Sequence, residues 1–386
     1  MPDAVTLLAG TTKGLFLLRA DPARQRWTLS GPHCDGWSVN HAIGDAETGR
    51  LWAGGGGEWS GAGVWRSEDG GATWTLSKLA DGQMDTWARD DPDTARMLGV
   101  TPADPAPFSG QINAIWSLGQ SGGRLFAGAK PATLLSSDNG GQTWTAVEAL
   151  SNHPSAADWQ PGAAGLTLHT IVAHPEDAGR MWLGISAAGV FATEDGGQSW
   201  DRRNRLSNAG AACDHPHPAA PRDGQTGHCV HNMVRAPGAA DVLYQQNHHG
   251  VFRSRDGGRS WDDITDGLPS TFGFPIAVDP HNANRIWVLP LNGDAQGRYP
   301  PDAAAAIWRS DTGGDSWQAC RTGLPQAGCY FTVLRQAMAV DRLPKPGVYF
   351  GTNSGSIFAS TDGGDSWDEI ARHLPTVLCV ETVTHP

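Results

Sequence analysis

Charged residues are scarce in this sequence, basic ones most of all, and no long apolar run is present. Asp, Glu, Lys and Arg make up 18% of the 386 residues, and 28 Lys and Arg stand against 40 Asp and Glu, for a net charge of -12. Nucleic-acid binding needs a basic surface, so this composition argues against a phosphate-backbone binder. No stretch approaches the ~18 apolar residues of a membrane-spanning helix. We therefore expect neither nucleic acid nor a membrane as a partner.

Signals for export and for disulfide bonds are also missing. The N-terminal stretch MPDAVTLLAGTTKGLFLLRADP has no basic leading segment, and Lys13 interrupts its apolar residues, which argues against a signal peptide. The six cysteines contain no CxxC pair and no regular spacing; they are Cys34, Cys213, Cys229, Cys320, Cys329 and Cys379. We expect a cytoplasmic protein with free thiols.

Glycine, proline and tryptophan are abundant instead, with 50 Gly, 26 Pro and 17 Trp against only 4 Tyr. This composition is typical of many short strands joined by tight turns. Six related segments, of the type SEDGGATW or STDGGDSW, end at Trp74, Trp144, Trp200, Trp261, Trp317 and Trp367. Their Asp is expected to bond turn amides, and their glycines to supply positive φ.

Apolar segments surround each turn, so that each repeat contains four short strands, A to D, with the turn between C and D. The N-terminus supplies only strands B, C and D, whereas the C-terminal VETVTHP supplies only a strand A. Seven complete sets result if the last strand joins the first three. The sequence therefore predicts an all-β fold, a seven-bladed β-propeller formed as a single domain by residues 1–386 and closed by that pairing.

The turn resembles the Asp-box, or BNR repeat, of sialidases, sortilin-type receptors and photosystem assembly factors. Four copies match closely, at Asp69, Asp195, Asp256 and Asp362, while Asn139 and Thr312 occupy the Asp position in the other two. The resemblance implies a sialidase-like or sortilin-like propeller in which these turns are structural features of the outer rim. It implies little about function, because one fold carries many activities.

The resemblance does not extend to the chemistry of sialidases. That family uses an arginine triad, an early Phe/Tyr-Arg-Ile-Pro segment and a Tyr-Glu pair. The segment GFPIAV at 273–278 lacks the arginine and lies late in the chain, and nothing in the sequence pairs Tyr330 with a glutamate. We therefore do not expect sialidase activity.

The long connections fall on one face of the predicted propeller. In an antiparallel four-stranded blade, the B–C and D–A connections lie opposite the A–B and C–D turns. All long connections are of the first kind, at about 54–63, 80–110, 149–166, 203–228 and 290–305. Loops well above the ~4–6 residue median are often functional, so a site is expected on this face, opposite the Asp-boxes.

Histidines recur at one position of the A strands, which line the central channel of a propeller. Aligned on that position, the strands carry His41, Asn113, His169, His231, Phe274, Gln336 and Val380. A further imidazole comes from YQQNHHGVF as His248 or His249, of which one faces inward. Convergent imidazoles are typical ligands of Zn, Mn, Fe or Cu. We predict a divalent transition metal bound by His41, His169, His231 and His248; the alternative for each is a hydrogen-bonded core histidine.

Three other polar residues on this face are candidates for catalysis. Glu58 could act as a general base or as a further metal ligand, and Lys130 and Arg335 could hold a carboxylate or polarise a carbonyl. The alternatives are a solvated glutamate and salt bridges within the propeller. The segment CDHPHP (213–218) could also bind a metal, or be a proline-rich surface loop.

Three functional hypotheses follow. The first is a metal-dependent hydrolase or lyase acting on a small or carbohydrate-like substrate in the histidine-lined pocket. The second is a non-catalytic propeller that binds a protein partner or a ligand. The third is a metal-free, glycosidase-like pocket in which Glu58 and another carboxylate form a pair. Metal analysis separates the first hypothesis from the other two.

Overall fold

A computed structural model describes residues 4–208, 221, 223–239 and 241–385 of the chain. The described residues form seven four-stranded antiparallel sheets arranged in a ring. This confirms the predicted all-β, seven-bladed β-propeller. Short apolar strands separated by glycine turns produce this architecture because each sheet can bury both of its faces only against neighbouring sheets.

The strands follow one another in chain order within the sheets. The first sheet contains β1 (Ala4–Thr11), β2 (Gly14–Ala20) and β3 (Trp27–His33), and the second contains β4 (Val39–Gly44), β5 (Leu51–Gly57), β6 (Gly61–Ser67) and β7 (Thr75–Ala80). The third contains β8 (Ala114–Ser121), β9 (Arg124–Lys130), β10 (Leu134–Ser137) and β11 (Thr145–Ala146), and the fourth β12 (Thr167–Ala173), β13 (Met181–Ser186), β14 (Gly189–Thr193) and β15 (Asp201–Arg202).

The remaining sheets repeat this order. The fifth contains β16 (Val230–Arg235), β17 (Leu243–Asn247), β18 (Gly250–Ser254) and β19 (Asp262–Asp263), and the sixth β20 (Gly273–Val278), β21 (Ile286–Pro290), β22 (Ile307–Ser310) and β23 (Gln318–Cys320). The seventh contains β24 (Met338–Val340), β25 (Val348–Gly351), β26 (Ile357–Ser360) and β27 (Asp368–Ala371).

The ring closes in the way that the strand count predicts. The last strand, β28 (Val377–His385), pairs antiparallel with β1, from Ala4 opposite His385 to Thr11 opposite Val377. The first sheet thus combines the C-terminal strand with the three N-terminal strands. This pairing covers the edge of β1, and the closed ring leaves only short, protected sheet edges.

Helices occur in the connections between sheets. They are α1 (Gln83–Asp90), α2 (Pro92–Met97) and α3 (Glu148–Ser151), with 3-10 turns at Cys34–Gly36, Ala156–Asp158, Asp294–Gln296 and Pro301–Ala303. The α2 helix begins with proline after Asp91, whose side chain accepts a hydrogen bond from Thr94 N at 3.3 Å. In the described part of the chain, no helix is long and apolar enough to cross a bilayer.

The hydrophobic core lies between neighbouring sheets. Trp182 in the fourth sheet belongs to the same buried cluster as Met233, Phe252 and Trp261 in the fifth. Phe350 and Phe358 in the seventh sheet stack with ring centroids 5.0 Å apart. All six residues of β13 are buried. Because both faces of a sheet are covered, its strands are apolar throughout rather than alternating.

The turns between strands C and D have the hydrogen bonds expected from their sequence. Asp69 Oδ1 accepts from Thr73 N at 2.9 Å and from Ser67 Oγ at 2.8 Å, and Gly70 and Gly71 have φ of 69° and 92°. Asn139 accepts the corresponding amide bond in the third sheet, at 3.0 Å. We call the face carrying these turns the aspartate-turn face.

Tryptophans of the B strands fix these turns to the preceding sheet. Trp52 Nε1 donates to Gly140 O at 3.0 Å, Trp182 Nε1 to Gly257 O at 2.8 Å and Trp287 Nε1 to Gly363 O at 3.0 Å. Each bond runs from one sheet to the turn of the next. The repeated turn is therefore a joint between blades as well as a local feature.

Candidate functional site

A β-bulge near the start of several A strands decides which side chains reach the axis. In β12, Leu168 and Thr170 pair with consecutive residues of β13, so that His169 is the extra residue. In β16, His231 is the extra residue in the same way. A bulge leaves one residue out of the ladder and turns its side chain in a new direction. Both imidazoles are buried, with exposures of 1% and 2%.

The same bulge separates His41 from the other histidines. In β4 the extra residue is Asn40, and His41 returns to the ladder opposite Gly54. A shift of one residue points a side chain to the opposite face of a strand. His41 accordingly lies between sheets, where its Nδ1 accepts from Leu118 N at 2.9 Å and its Nε2 is 3.4 Å from Glu381 Oε1. Asn40 of β4 is therefore the structural equivalent of His169 of β12. The prediction that His41 occupies this position is wrong.

A pocket of about 260 Å³ opens among the fourth to seventh sheets, on the face opposite the aspartate turns, which we call the loop face. It is lined by Asp158, Gln160, Pro161, Gly162, Ala163, Ser186, Ala187, His228, Cys229, His231, His248, Phe274, Asp294, Arg298 and Arg335. These residues come from connections and strand ends far apart in the chain. We call this cavity the axial pocket.

Cys229, His231 and His248 form a cluster in the wall of the axial pocket. One ligand atom from each lies within 4.8 Å of the others, and all three residues are buried. The rings of His231 and His248 have centroids 5.2 Å apart. The structure thus places His248 in the axial pocket, whereas His249 lines a neighbouring outer depression. Cysteine sulfur and imidazole nitrogen are the donors that zinc prefers.

Hydrogen bonding determines which nitrogen of His231 is available. Its Nδ1 is 2.6 Å from Gly273 O, and because a carbonyl only accepts, Nδ1 carries the proton. The lone pair is therefore on Nε2. Burial, together with the nearby Arg335 cation, lowers the pKa of His231 well below its usual range. A neutral imidazole whose other nitrogen bonds a carbonyl is the form in which histidine binds metals.

A charged pair borders this cluster. His248 Nε2 is 3.6 Å from Asp294 Oδ2, and Arg298 Nε donates to Asp294 Oδ1 at 2.6 Å. Burial raises the pKa of the Cys229 thiol, whose Sγ is 3.0 Å from Ser186 Oγ. The thiol is thus neutral unless a metal displaces its proton.

Arg335 joins the axial pocket to a smaller cavity below it. The guanidinium carbon is 4.7 Å from the centroid of Phe274. Arg335 also lines an inner cavity of about 90 Å³ together with His169, Asn40 and Trp116. Burial, and secondarily the charge of Arg335, lowers the pKa of His169 to about 3. His169 is consequently neutral near pH 7 and lines the inner cavity, whereas the cluster lines the axial pocket.

Two of the predicted catalytic residues lie outside the axial pocket. Glu58 lines a broad depression of about 600 Å³ beside Trp87 and Asp90 of the α1 region. The side chain of Lys130 lies against Gly165, which has φ of 89° and leaves room for it. Of the predicted set, the structure therefore brings together His231, His248 and Arg335.

Sequence reasoning missed several residues of the axial pocket. Cys229, Asp158, Asp294 and Arg298 were not among the candidates, although the Cys-x-His spacing of 229 and 231 was a signal that could have indicated the thiol. Asp158, Asp294 and Arg298 lie in connections between strands, where no strand alternation in the sequence predicts the direction of a side chain. The histidines of CDHPHP (213–218) lie outside the described residues.

Comparisons with known proteins agree with a propeller fold. No family model matches the chain, so membership of the BNR/Asp-box family stays a prediction. The chain is 25% identical over 256 residues to the oligoxyloglucan-reducing end-specific xyloglucanase of Emericella nidulans, a match that covers 55% of this chain and 28% of the relative. The chain therefore spans less than a third of the length of that curated relative.

Two solved structures resemble this chain in fold. An ancestral GH74 enzyme superposes with a TM-score of 0.55 at 15% identity, covering 86% of this chain and 38% of that one. The protein YCF48, solved with a bound D1 peptide, superposes with a TM-score of 0.51 at 15% identity, covering 86% and 81% of the two chains. At this identity the likeness concerns the fold alone.

Proposed function

We propose that this chain is a metal-dependent hydrolase or lyase that acts on a carbohydrate in the axial pocket. The observation that carries the proposal is the buried cluster of Cys229, His231 and His248 in the wall of a cavity large enough for a sugar residue. The carbohydrate substrate is supported by the relative named as a xyloglucanase specific for the reducing end of oligoxyloglucan.

The three residues of the cluster would hold the metal. One thiolate and two imidazoles suit Zn²⁺ best, and imidazole also suits Mn, Fe and Cu. His231 would bind through Nε2, because Nδ1 is engaged by Gly273 O. With these three protein ligands, a zinc ion would keep one position open for water or substrate, as catalytic rather than structural zinc sites do.

A bound divalent ion would supply Lewis-acid chemistry, either polarising a substrate oxygen or lowering the pKa of a water. The chain itself binds and orients the sugar. Asp294, held by Arg298 Nε at 2.6 Å, offers a carboxylate oxygen to a sugar hydroxyl. Phe274, which is buried, contributes apolar surface to the pocket wall behind the Arg335 guanidinium.

The test is an elemental analysis of the purified protein together with variants. We expect a stoichiometric transition metal in the wild type and at least a ~10-fold loss of metal affinity in His231→Gln. His373→Asn is the matched control, since His373 is exposed, has φ of 63° and lies outside the cluster. Activity would be measured on xyloglucan oligosaccharides and other glycans by release of reducing ends and by the absorbance of an unsaturated product. Sugar cleavage by a metal-free protein, unaffected by His231→Gln, would refute the proposal.

A metal-free glycosidase is the second candidate. Asp158 and Asp294 line the same axial pocket, and glycosidases use two carboxylates on either side of the scissile bond. This candidate predicts that a chelator leaves activity intact while Asp158→Asn and Asp294→Asn each abolish it. Glu58, in its separate depression, would then be dispensable.

A further inference from the structure

Arg335 lines both the axial pocket and the inner cavity. Its carbonyl accepts from Asn232 Nδ2 at 2.7 Å, and its guanidinium lies over the ring of Phe274 with 4.7 Å between the guanidinium carbon and the ring centroid. A positive charge that contacts the Phe274 ring is therefore presented between the two cavities.

Among the described residues, this guanidinium has no carboxylate within 4.0 Å, and its Nε is buried without a hydrogen-bond partner. Arg203 and Arg253, which are buried, both have carboxylate partners, whereas Arg335 is half-buried. Arg203 contacts Glu194 at 2.9 Å and Asp201 at 3.0 Å, and Arg253 contacts Asp315 at 3.0 Å. Leaving a partly desolvated charge unpaired costs free energy that an anion would recover.

The two carboxylates that line the axial pocket lie near other cations. Asp294 accepts from Arg298 at 2.6 Å, and the charge of Asp158 partly offsets the effect by which burial lowers the pKa of Arg202. Among the described residues, Arg335 is thus a cation of the pocket wall without a carboxylate in contact with its guanidinium. The inner cavity adds a second unpaired donor, because Trp116 Nε1 is buried there without a hydrogen-bond partner.

We propose that Arg335 anchors a binding site for a single carboxylate group, between the axial pocket and the inner cavity. A guanidinium binds a carboxylate through two parallel hydrogen bonds. One unpaired cation matches one negative charge, which favours a carboxylate over a phosphate dianion. The carboxylate can come from an acidic sugar in the axial pocket, which rests on the proposed carbohydrate function, or from a small free acid in the inner cavity.

The experiment measures binding of four probes to the purified protein by calorimetry: glucuronate, glucose, formate and glucose 6-phosphate. We expect glucuronate to bind at least ~10-fold more tightly than glucose, and Arg335→Gln to weaken glucuronate binding about 10- to 100-fold while leaving glucose unchanged. Trp116→Phe should weaken carboxylate binding by less, about 2- to 10-fold. Arg26→Gln is the control, since Arg26 is 90% exposed.

Each outcome decides between the alternatives. Arg335-dependent binding of glucuronate alone identifies an acidic sugar as the source, and Arg335-dependent binding of formate alone identifies a free acid. Failure of both carboxylates to bind, unchanged carboxylate binding in Arg335→Gln, or binding of glucose 6-phosphate tighter than that of glucuronate and formate would overturn the proposal. Equal binding of glucose and glucuronate would also overturn it unless formate binds in an Arg335-dependent way. Metal content, measured on the same samples, reports separately on the proposed metal centre, so that the two proposals fail independently.

Discussion

A buried carboxylate joins the last sheet to the first on the aspartate-turn face. Asp341 follows β24 and has no exposed surface. It accepts hydrogen bonds from Tyr349 Oη at 2.7 Å, Arg24 Nη1 at 2.9 Å and Leu343 N at 3.0 Å. Arg24 belongs to the turn between β2 and β3, so its bond with Asp341 crosses the joint between the seventh and first sheets.

Two substitutions in this network should differ in cost. Tyr349→Phe removes one hydrogen bond to a charged acceptor and leaves the ion pair intact, which should lower the free energy of unfolding by about 1.5–3 kcal/mol. Asp341→Ala removes the carboxylate partner of the Arg24 side chain, which is only 10% exposed. It also removes the acceptor of the Leu343 amide. Breaking a buried pair on one side costs about 3–5 kcal/mol.

Denaturant unfolding followed by tryptophan fluorescence measures both changes as shifts of the midpoint at constant slope. The control is Arg26→Ala, whose partner Asp21 lies 3.4 Å away on the surface, and which should change stability by less than about 0.5 kcal/mol. The reasoning is refuted if Asp341→Ala costs no more than Tyr349→Phe. Metal content of the folded variants should match the wild type, because the network lies on the face opposite the axial pocket.

Two further predictions concern the aspartate turns. Trp182→Phe removes the hydrogen bond to Gly257 O, but this oxygen also accepts from Arg203 Nη1 at 2.7 Å. The free energy of unfolding should therefore fall by only about 0.5–1.5 kcal/mol in the same assay. An unchanged midpoint would contradict the role of this bond between blades. Hydrogen bonds from the Thr73 hydroxyl and amide lower the pKa of Asp69 to about 2. The stabilising contribution of Asp69 should therefore be present above about pH 4 and lost as the pH falls towards 2. A carboxyl midpoint near 3.8 in an NMR titration would show that these bonds are absent in solution.

The number of blades and the closure of the ring could be predicted from the sequence because the signals are local. Each aspartate turn uses side chains that lie two and four residues from the central Asp, as Ser67, Asp69 and Thr73 show. The unequal strand count at the two ends then leaves one consistent pairing, and β28 pairs with β1 as that count requires. Such regularities repeat along the chain and can be recognised without knowing any distant contact.

The direction of single side chains could be predicted less well. His41 and His169 align in the sequence, but the bulged residues of their strands are Asn40 and His169. One extra residue in a strand reverses the face to which its neighbour points. No pattern in the sequence marks the position of a bulge, so His41 could be placed on the axis only by an assumption of regular strands.

The amino-acid sequence by itself determined the sevenfold architecture, the turn chemistry and the face that carries the long loops. Only the tertiary structure decided that Cys229 lies beside His231 and His248 and that Arg298 donates to Asp294. It also decided that Arg335 has no carboxylate partner among the described residues. The physical reason is distance along the chain. Turns and strands depend on neighbours within a few residues, whereas the axial pocket is built where irregular loops from four sheets meet, and its charge balance exists only once they are packed together.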